Sequence, residues 1–301
     1  MSSPIVEENA MRVAFGLVLL GFVMPALAQE QKQVPGLDSV EIVKDVVYGK
    51  GGGRDLKLHL IKPKEKSDAP MPVLVWVHGG GWQAGNKDSG IPRSVAFAQR
   101  GYFCASIEYR LSQEAVFPAQ IEDCKCAIRF LRSKAKEYNI DPERIGVWGA
   151  SAGGHLVALL GTSAHVKELE GKGGHEQFPS HVNCVCDFCG PTDLIKIMGD
   201  SKGASGPVAK LLGGLPSDKK DLAALANPIT HVTKKCPPML LVHGDKDTLV
   251  PLDQSKLLEA ALKNAGVTVR LFVAENQGHA ITGPEVSDVV SAFFDRHLKG
   301  K

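Results

Sequence analysis

The chain has 301 residues, 44% of them apolar and 23% charged, with a formal net charge of +2, a composition ordinary for a soluble globular protein. Basic residues are scattered and aromatics few, which excludes a nucleic-acid footprint or a polybasic membrane-binding face. Length alone permits one large domain or two small ones.

In chain order, the first informative stretch is N-terminal. Arg12 precedes an apolar run from Val13 to Met24, followed by Pro25 and Ala26-Leu27-Ala28. One positive charge, a short apolar core and an A-x-A site predict a signal peptide, residues 1–28, cut after Ala28. The run is shorter than the ~20 residues of a spanning helix, so no stable membrane insertion is expected after cleavage. An uncleaved anchor is the alternative. The absence of a cysteine at the cut points away from a lipoprotein, and the expected location is secreted or periplasmic. The acidic stretch Met1–Ala10 is unusual for a leader and leaves Met1 and Met11 both open as the start.

The remainder, 29–301, reads as one domain without repeats or a Pro/Ser-rich linker. Ile42–Tyr48 and Leu56–Leu60 predict strands around a Gly49–Gly53 turn, and Val73–Val77 is a near-continuous apolar run suited to a buried parallel strand. Tyr102–Ile107 predicts a strand and Ala119–Lys136 a helix. Asp141-Pro142 turns into strand Ile145–Trp148, with helix Ala152–Leu160 after it. Further strands are expected at Val182–Phe188, Met239–Val242 and Val267–Val273, and helices at Gln254–Lys263 and Glu285–His297. This alternation implies an α/β fold, a mostly parallel sheet with helices on both faces. Ligands of such sheets bind at the carboxyl ends of the strands. A Gly-, Lys- and Ser-rich segment, about 194–227, interrupts the alternation and is expected to form a small cap over that end.

Seven cysteines leave at least one unpaired in a monomer. Cys186-x-x-Cys189 invites a zinc reading, but Cys184 and Cys186 alternate on a strand and would share one buried face. Cys124 and Cys126 diverge by about 200° on a helix. Core filling is the favoured expectation, one or two disulfides stay open, and no metal is expected.

The chemistry concentrates in Gly149-Ala150-Ser151-Ala152-Gly153, a G-x-S-x-G between a strand pattern and a helix pattern. Glycines at 149 and 153 permit the sharp turn that exposes Ser151, and the helix starting at Ala152 points free N–H groups at the serine. Alone the motif is weak; its strand–turn–helix context is what the chemistry requires. Strand Val73–Val77 runs into His78-Gly79-Gly80-Gly81-Trp82, whose glycines let backbone N–H groups approach a carbonyl oxygen. Gly80, Gly81 and Ala152 are the predicted oxyanion donors, and His78 is expected to brace the loop. Chain order Ser…Asp…His then restricts the partners. Of the late histidines, His279 follows a strand, whereas His297 sits within five residues of the terminus. Asp245 and Asp247 both follow strand Met239–Val242; Asp247 has the better reach to His279, and Asp245 is expected to bond local backbone. Asp193 is expected to cap a helix of the insertion.

Taken together, His78-Gly79-Gly80-Gly81-Trp82, Gly149–Leu156, Gly190-Pro191-Thr192-Asp193-Leu194 and His243-Gly244-Asp245-Lys246-Asp247 resemble secreted esterases of the α/β-hydrolase fold. Bacterial feruloyl and acetyl-xylan esterase-like enzymes and hormone-sensitive-lipase-like esterases are the nearest groups, over about Val40–Leu298. The resemblance implies ester hydrolysis through Ser151, His279 and Asp247. The substrate is expected to be a small-molecule or carbohydrate ester, no cofactor is expected, and Trp82, Tyr109 and the 194–227 segment are expected to line the substrate pocket. Cys184/Cys186, Cys189 where an aromatic is usual, and Glu108 depart from the pattern and are expected to reshape the acyl pocket. Rival readings are an arylformamidase-like amide hydrolase, a prolyl-oligopeptidase-type serine peptidase and a non-catalytic binding homologue. The sequence carries no information on oligomeric state.

Overall fold

The computed structural model describes Met1, residues 35–198 and residues 206–300; the apolar run and cleavage site of the predicted signal peptide lie outside the described residues, as does part of the predicted cap. The fold begins with a hairpin, β1 (Val40–Gly51) and β2 (Arg54–Pro63), paired antiparallel around Gly52 and Gly53. Both turn residues have positive φ, 60° and 79°, a conformation glycine adopts without a Cβ penalty. The strands therefore continue past Tyr48, closer to the turn than the expected boundaries.

Six more strands follow: β3 (Met71–Val77), β4 (Phe103–Ile107), β5 (Ile140–Ala150), β6 (Cys184–Phe188), β7 (Met239–Gly244) and β8 (Val269–Ala274). They make one eight-stranded sheet in the order β1-β2-β4-β3-β5-β6-β7-β8. From β4 to β8 every pairing is parallel, while β2 joins β4 antiparallel. The helices are α1 (Ile91–Gln99), α2 (Ala119–Ser133), α3 (Ala135–Tyr138), α4 (Ala152–Thr162), α8 (Asp253–Asn264) and α9 (Pro284–Phe294). Short helices α5 (Leu194–Met198), α6 (Pro207–Leu212) and α7 (Lys220–Ala226) occupy the insertion.

Both sheet faces are covered, which explains the near-continuous apolar strands. Along β3, Val73, Val75 and Val77 enter a core built with α2, α4 and α8. The alternate residues Leu74 and Trp76 enter a second core built with α1 and α9. Cys184 and Cys186 share that second face, and Cys124 and Cys126 are both buried in the first. All seven cysteines are free. No helix of the described residues is long and apolar enough to cross a membrane.

The sheet also determines where a site can form. After β3 the chain steps to β4 on one side, and β5 returns to pair with β3 on the other. The carboxyl ends of β3 and β5 thus flank a topological switch point, where the connections leave a crevice.

One buried charge stands out. Asp187 on β6 is fully buried; its Oδ1 accepts the Gly190 N–H at 2.8 Å, and its Oδ2 has no partner among the described residues. Burial pushes its pKa up to about 7. Because the folded value lies above the ordinary carboxylate value of about 4, the native state retains a proton that the unfolded chain has lost. The resulting cost to stability grows as pH rises from about 4 to about 7 and is complete above that. Asp187→Asn keeps the acceptor for Gly190 and is expected to raise stability at pH 8 by a few kcal/mol, with little change at pH 4. Urea unfolding at the two pH values measures the difference; an equal effect at both would refute the assignment.

Candidate active site

Ser151 occupies the turn between β5 and α4 with φ 58° and ψ −121°, a backbone state rare outside glycine. Its N–H donates to Phe188 O at 2.8 Å, tying the turn to the end of β6. The flanking glycines are sterically compelled. A Cβ on Gly149 would lie 2.5 Å from Gly153 O, and one on Gly153 would lie 2.1 Å from Val77 O. Only without those carbons can α4 start so close behind β3 and β5.

Gly80 and Gly81, after β3, have φ 108° and 59°. A Cβ on Gly80 would meet Ala84 O at 2.2 Å, inside the turn where Gly80 O accepts the N–H groups of Gln83 and Ala84. The N–H groups of Gly80 and Gly81 have no acceptor among the described residues. Ala152, first residue of α4, has no intrahelical acceptor for its N–H either. Gly80, Gly81 and Ala152 surround, with Ser151, a cavity of about 400 Å³.

His279, beyond β8, faces the same cavity. Its Nδ1 lies 2.7 Å from Oδ2 of Asp247, whose side chain is fully buried. The other carboxylate oxygen accepts N–H groups of Leu249 and Val250, each at 2.9 Å, so the loop itself holds the acid. Asp245 is exposed, and its backbone N–H donates to Ala274 O; contrary to expectation, its carboxylate bonds no backbone group among the described residues. Nε2 of His279 is unpaired among the described residues, and Ser151 Oγ makes no hydrogen bond to it. Catalytic hydrogen bonds of unliganded sites are commonly long and tighten when substrate arrives.

Two residues that hold this geometry stand in stretches the sequence singles out, yet their supporting roles are not readable there. His243 at the end of β7 is buried, donates from Nε2 to Val250 O at 2.9 Å and accepts the Ser255 hydroxyl at 2.7 Å. It fixes the Asp247 loop from behind, and burial holds its pKa below the ordinary value. Cys189 has φ 45° and lies with Asp247 and His279 in a group whose donor atoms are all within 4.8 Å of one another, the single such group among the described residues. Burial pushes its thiol pKa up. Two donors of that group, the His279 imidazole and the Asp247 carboxylate, are already engaged with each other.

The residues expected to line the substrate pocket divide. Trp82 does line the cavity, although 2% exposed, and its indole N–H donates to His155 Nδ1 at 3.2 Å. Tyr109 does not. It is buried behind the loop, stacked on His78 at 4.3 Å, and its hydroxyl donates to His78 O at 3.0 Å. Tyr109 therefore supports the glycine turn because its ring is spent on the His78 face. Cys184, Cys186 and Glu108 lie away from this cavity too; Glu108 bridges Arg54 and Lys87 at 2.8 and 3.0 Å. Asp193 accepts the N–H groups of Ile195 and Lys196, capping α5. Within the insertion, Ile197 of α5 and Pro207 and Val208 of α6 complete the cavity wall.

His155 links loop and insertion: Nδ1 accepts from Trp82 and Nε2 donates to Ala226 O at 2.8 Å. Burial lowers its pKa to about 4, so it is neutral at pH 7. Trp82→Phe removes the donor and leaves a buried nitrogen unpaired. It is expected to cost about 1–3 kcal/mol of stability, measurable by denaturant unfolding.

A mostly parallel eight-stranded sheet with a serine at the β5–α4 turn, an acid after β7 and a histidine after β8 defines the α/β-hydrolase fold. The model of the BD-FAE family matches residues 58–262, and the chain belongs to that family. It is 31% identical over 268 residues to the esterase LipQ of Mycobacterium tuberculosis, covering 84% of this chain and 63% of LipQ. The chain thus spans less than two-thirds of that relative's length. Among solved structures, a truncated carbohydrate esterase from gut microbiota matches with a TM-score of 0.81 and 32% identity, over 89% of this chain and 100% of that one. A thermophilic esterase from Thermogutta terrifontis matches with a TM-score of 0.72 and 27% identity, over 88% and 93%.

Proposed function

We propose that the protein is a serine carboxylic ester hydrolase working through an acyl-enzyme on small acyl esters, acetyl or feruloyl esters of carbohydrates. The observation that carries this reading is the 2.7 Å contact between His279 Nδ1 and Asp247 Oδ2, which leaves Nε2 free on a histidine that lines the cavity holding Ser151. In the reaction Nε2 takes the Ser151 proton as Oγ attacks the ester carbon. Asp247 holds the tautomer and stabilises the imidazolium. The oxyanion rests on the N–H groups of Gly80, Gly81 and Ala152, each contributing roughly 3–4 kcal/mol in a dry site. His279 then returns the proton to the leaving alcohol, and water releases the acyl group by the reverse sequence.

An apolar wall of Trp82, Ile197, Val208 and Leu249 suits a small or aromatic acyl group. The resemblance to a carbohydrate esterase supports a carbohydrate as the alcohol. Ser151→Ala is expected to lower p-nitrophenyl acetate turnover by a thousandfold or more, and Asp247→Asn by roughly a thousand- to ten-thousandfold in kcat with circular dichroism unchanged. Turnover that survives Ser151→Ala would sink the proposal. A panel of acetylated xylan, methyl ferulate and long-chain p-nitrophenyl esters then separates the acyl classes; preference for the long chains would argue against small acyl groups.

The apolar run and A-x-A site support export of the enzyme. Terminal sequencing of protein recovered from the secreting host should begin at Gln29; an intact leader on the recovered protein would count against it.

A further inference from the structure

His279 forms part of the wall of two cavities. The one described above holds Ser151 and the three unpaired N–H donors. The second, about 550 Å³, lies between α1 and α9 and touches none of them. Trp76, Trp148 and Phe188 line it from the sheet, Phe97 from α1 and Val286 from α9. Trp76 and Trp148 meet edge to face at 4.8 Å, and Phe97 packs on Trp148 at 5.1 Å, so its interior is aromatic.

A charge sits at its edge. Arg93 lays its guanidinium over the Trp76 ring at 4.7 Å and donates one N–H to Ser89 O at 2.7 Å. No carboxylate pairs with Arg93 among the described residues, whereas nearby Arg100 is paired with Asp295. Desolvation without a counter-charge lowers the Arg93 pKa. A planar guanidinium fixed over a ring, with N–H groups to spare, is suited to bidentate recognition of a carboxylate.

We propose that this second cavity receives the leaving alcohol of the ester, and that Arg93 selects a ring alcohol carrying a carboxylate. The inference rests on the ester-hydrolase reading. When the Oγ–carbon bond forms, the acyl group and its oxyanion are held where Ser151, Gly80 and Gly81 are. The carbon–oxygen bond to the alcohol then breaks, and the proton on His279 Nε2 passes to the departing oxygen, giving a neutral alcohol. The departing oxygen therefore lies between Ser151 and the imidazole, and the remainder of the alcohol extends past His279 into the cavity that His279 also lines. The remote carboxylate stays ionised throughout and faces Arg93.

The test compares 4-acetoxybenzoate with its neutral isostere 4-acetoxybenzamide, which share an acyl group, each kcat/KM being divided by the hydroxide hydrolysis rate. The wild-type protein should prefer the anionic ester roughly three- to tenfold, mainly through KM. Arg93→Gln should abolish the preference, and Arg93→Lys, which keeps the charge but not the planar fork, should retain only part of it. A preference unchanged in Arg93→Gln, or both esters falling in parallel, would overturn the proposal. Ala96→Trp, which places a ring in the cavity, should depress ring-alcohol esters relative to methyl acetate. A shift in acyl-length preference instead would place the acyl group there and overturn the assignment. Absence of p-nitrophenyl acetate turnover in the wild-type protein would defeat the esterase reading itself, and this inference with it.

Discussion

Everything at the site depends on how closely α4 can begin behind two strands. Ser151 takes a positive-φ conformation, and the glycines two positions to either side of it have no room for a Cβ: 2.1 Å from Val77 O at Gly153, 2.5 Å from Gly153 O at Gly149. That approach brings the first N–H groups of the helix beside the hydroxyl and next to the β3 loop. Strain of this kind persists only when the surroundings over-determine it. Here they do, through the Ser151 N–H on Phe188 O, the His155 N–H on Ser151 O and the buried run from Ala152 to Thr162.

The second constraint is on imidazoles. His243 and His155 each have both ring nitrogens engaged, and His78 gives Nδ1 to Gly79 O while its face is covered by Tyr109. Burial lowers the pKa of all three, keeping them as neutral structural groups. His279 differs in having only one nitrogen engaged, on the Asp247 carboxylate, while Nε2 has no partner among the described residues and the residue lines the cavity. This asymmetry distinguishes an imidazole able to shuttle a proton from one that merely fills a polar gap.

Much of this was legible in the sequence because each motif interrupts an apolar strand at its carboxyl end. Glycine and histidine after Val77, glycine and serine after Trp148, and aspartate after Val242 all break a strong pattern, so strand and loop were readable together. Helix α1 leaves no comparable trace: it spans nine residues, opens on Ile91-Pro92, and buries only Ser94, Val95, Phe97 and Ala98. The short helices of the insertion are likewise below the length at which periodicity can be counted. Side-chain direction was the other gap. Tyr109 and Trp82 are both aromatic residues near the active end, and nothing in their spacing reveals that one faces the cavity while the other props a carbonyl.

His243 and Cys189 show why supporting residues escape such reading. Each is placed by a partner far away in sequence or by a loop whose path is unknown until folded. His243 closes on Val250 and Ser255 because the chain after β7 curls back over it. Cys189 reaches His279 O at 3.6 Å across 90 residues, and its N–H bonds to Val242 O at 2.9 Å. An aromatic side chain at 189 would have to occupy the space directly behind the His279–Asp247 pair. A compact thiol leaves that region open toward α1 and α9, so the departure from the expected residue type is coupled to the shape of the second cavity, which Cys189 itself lines.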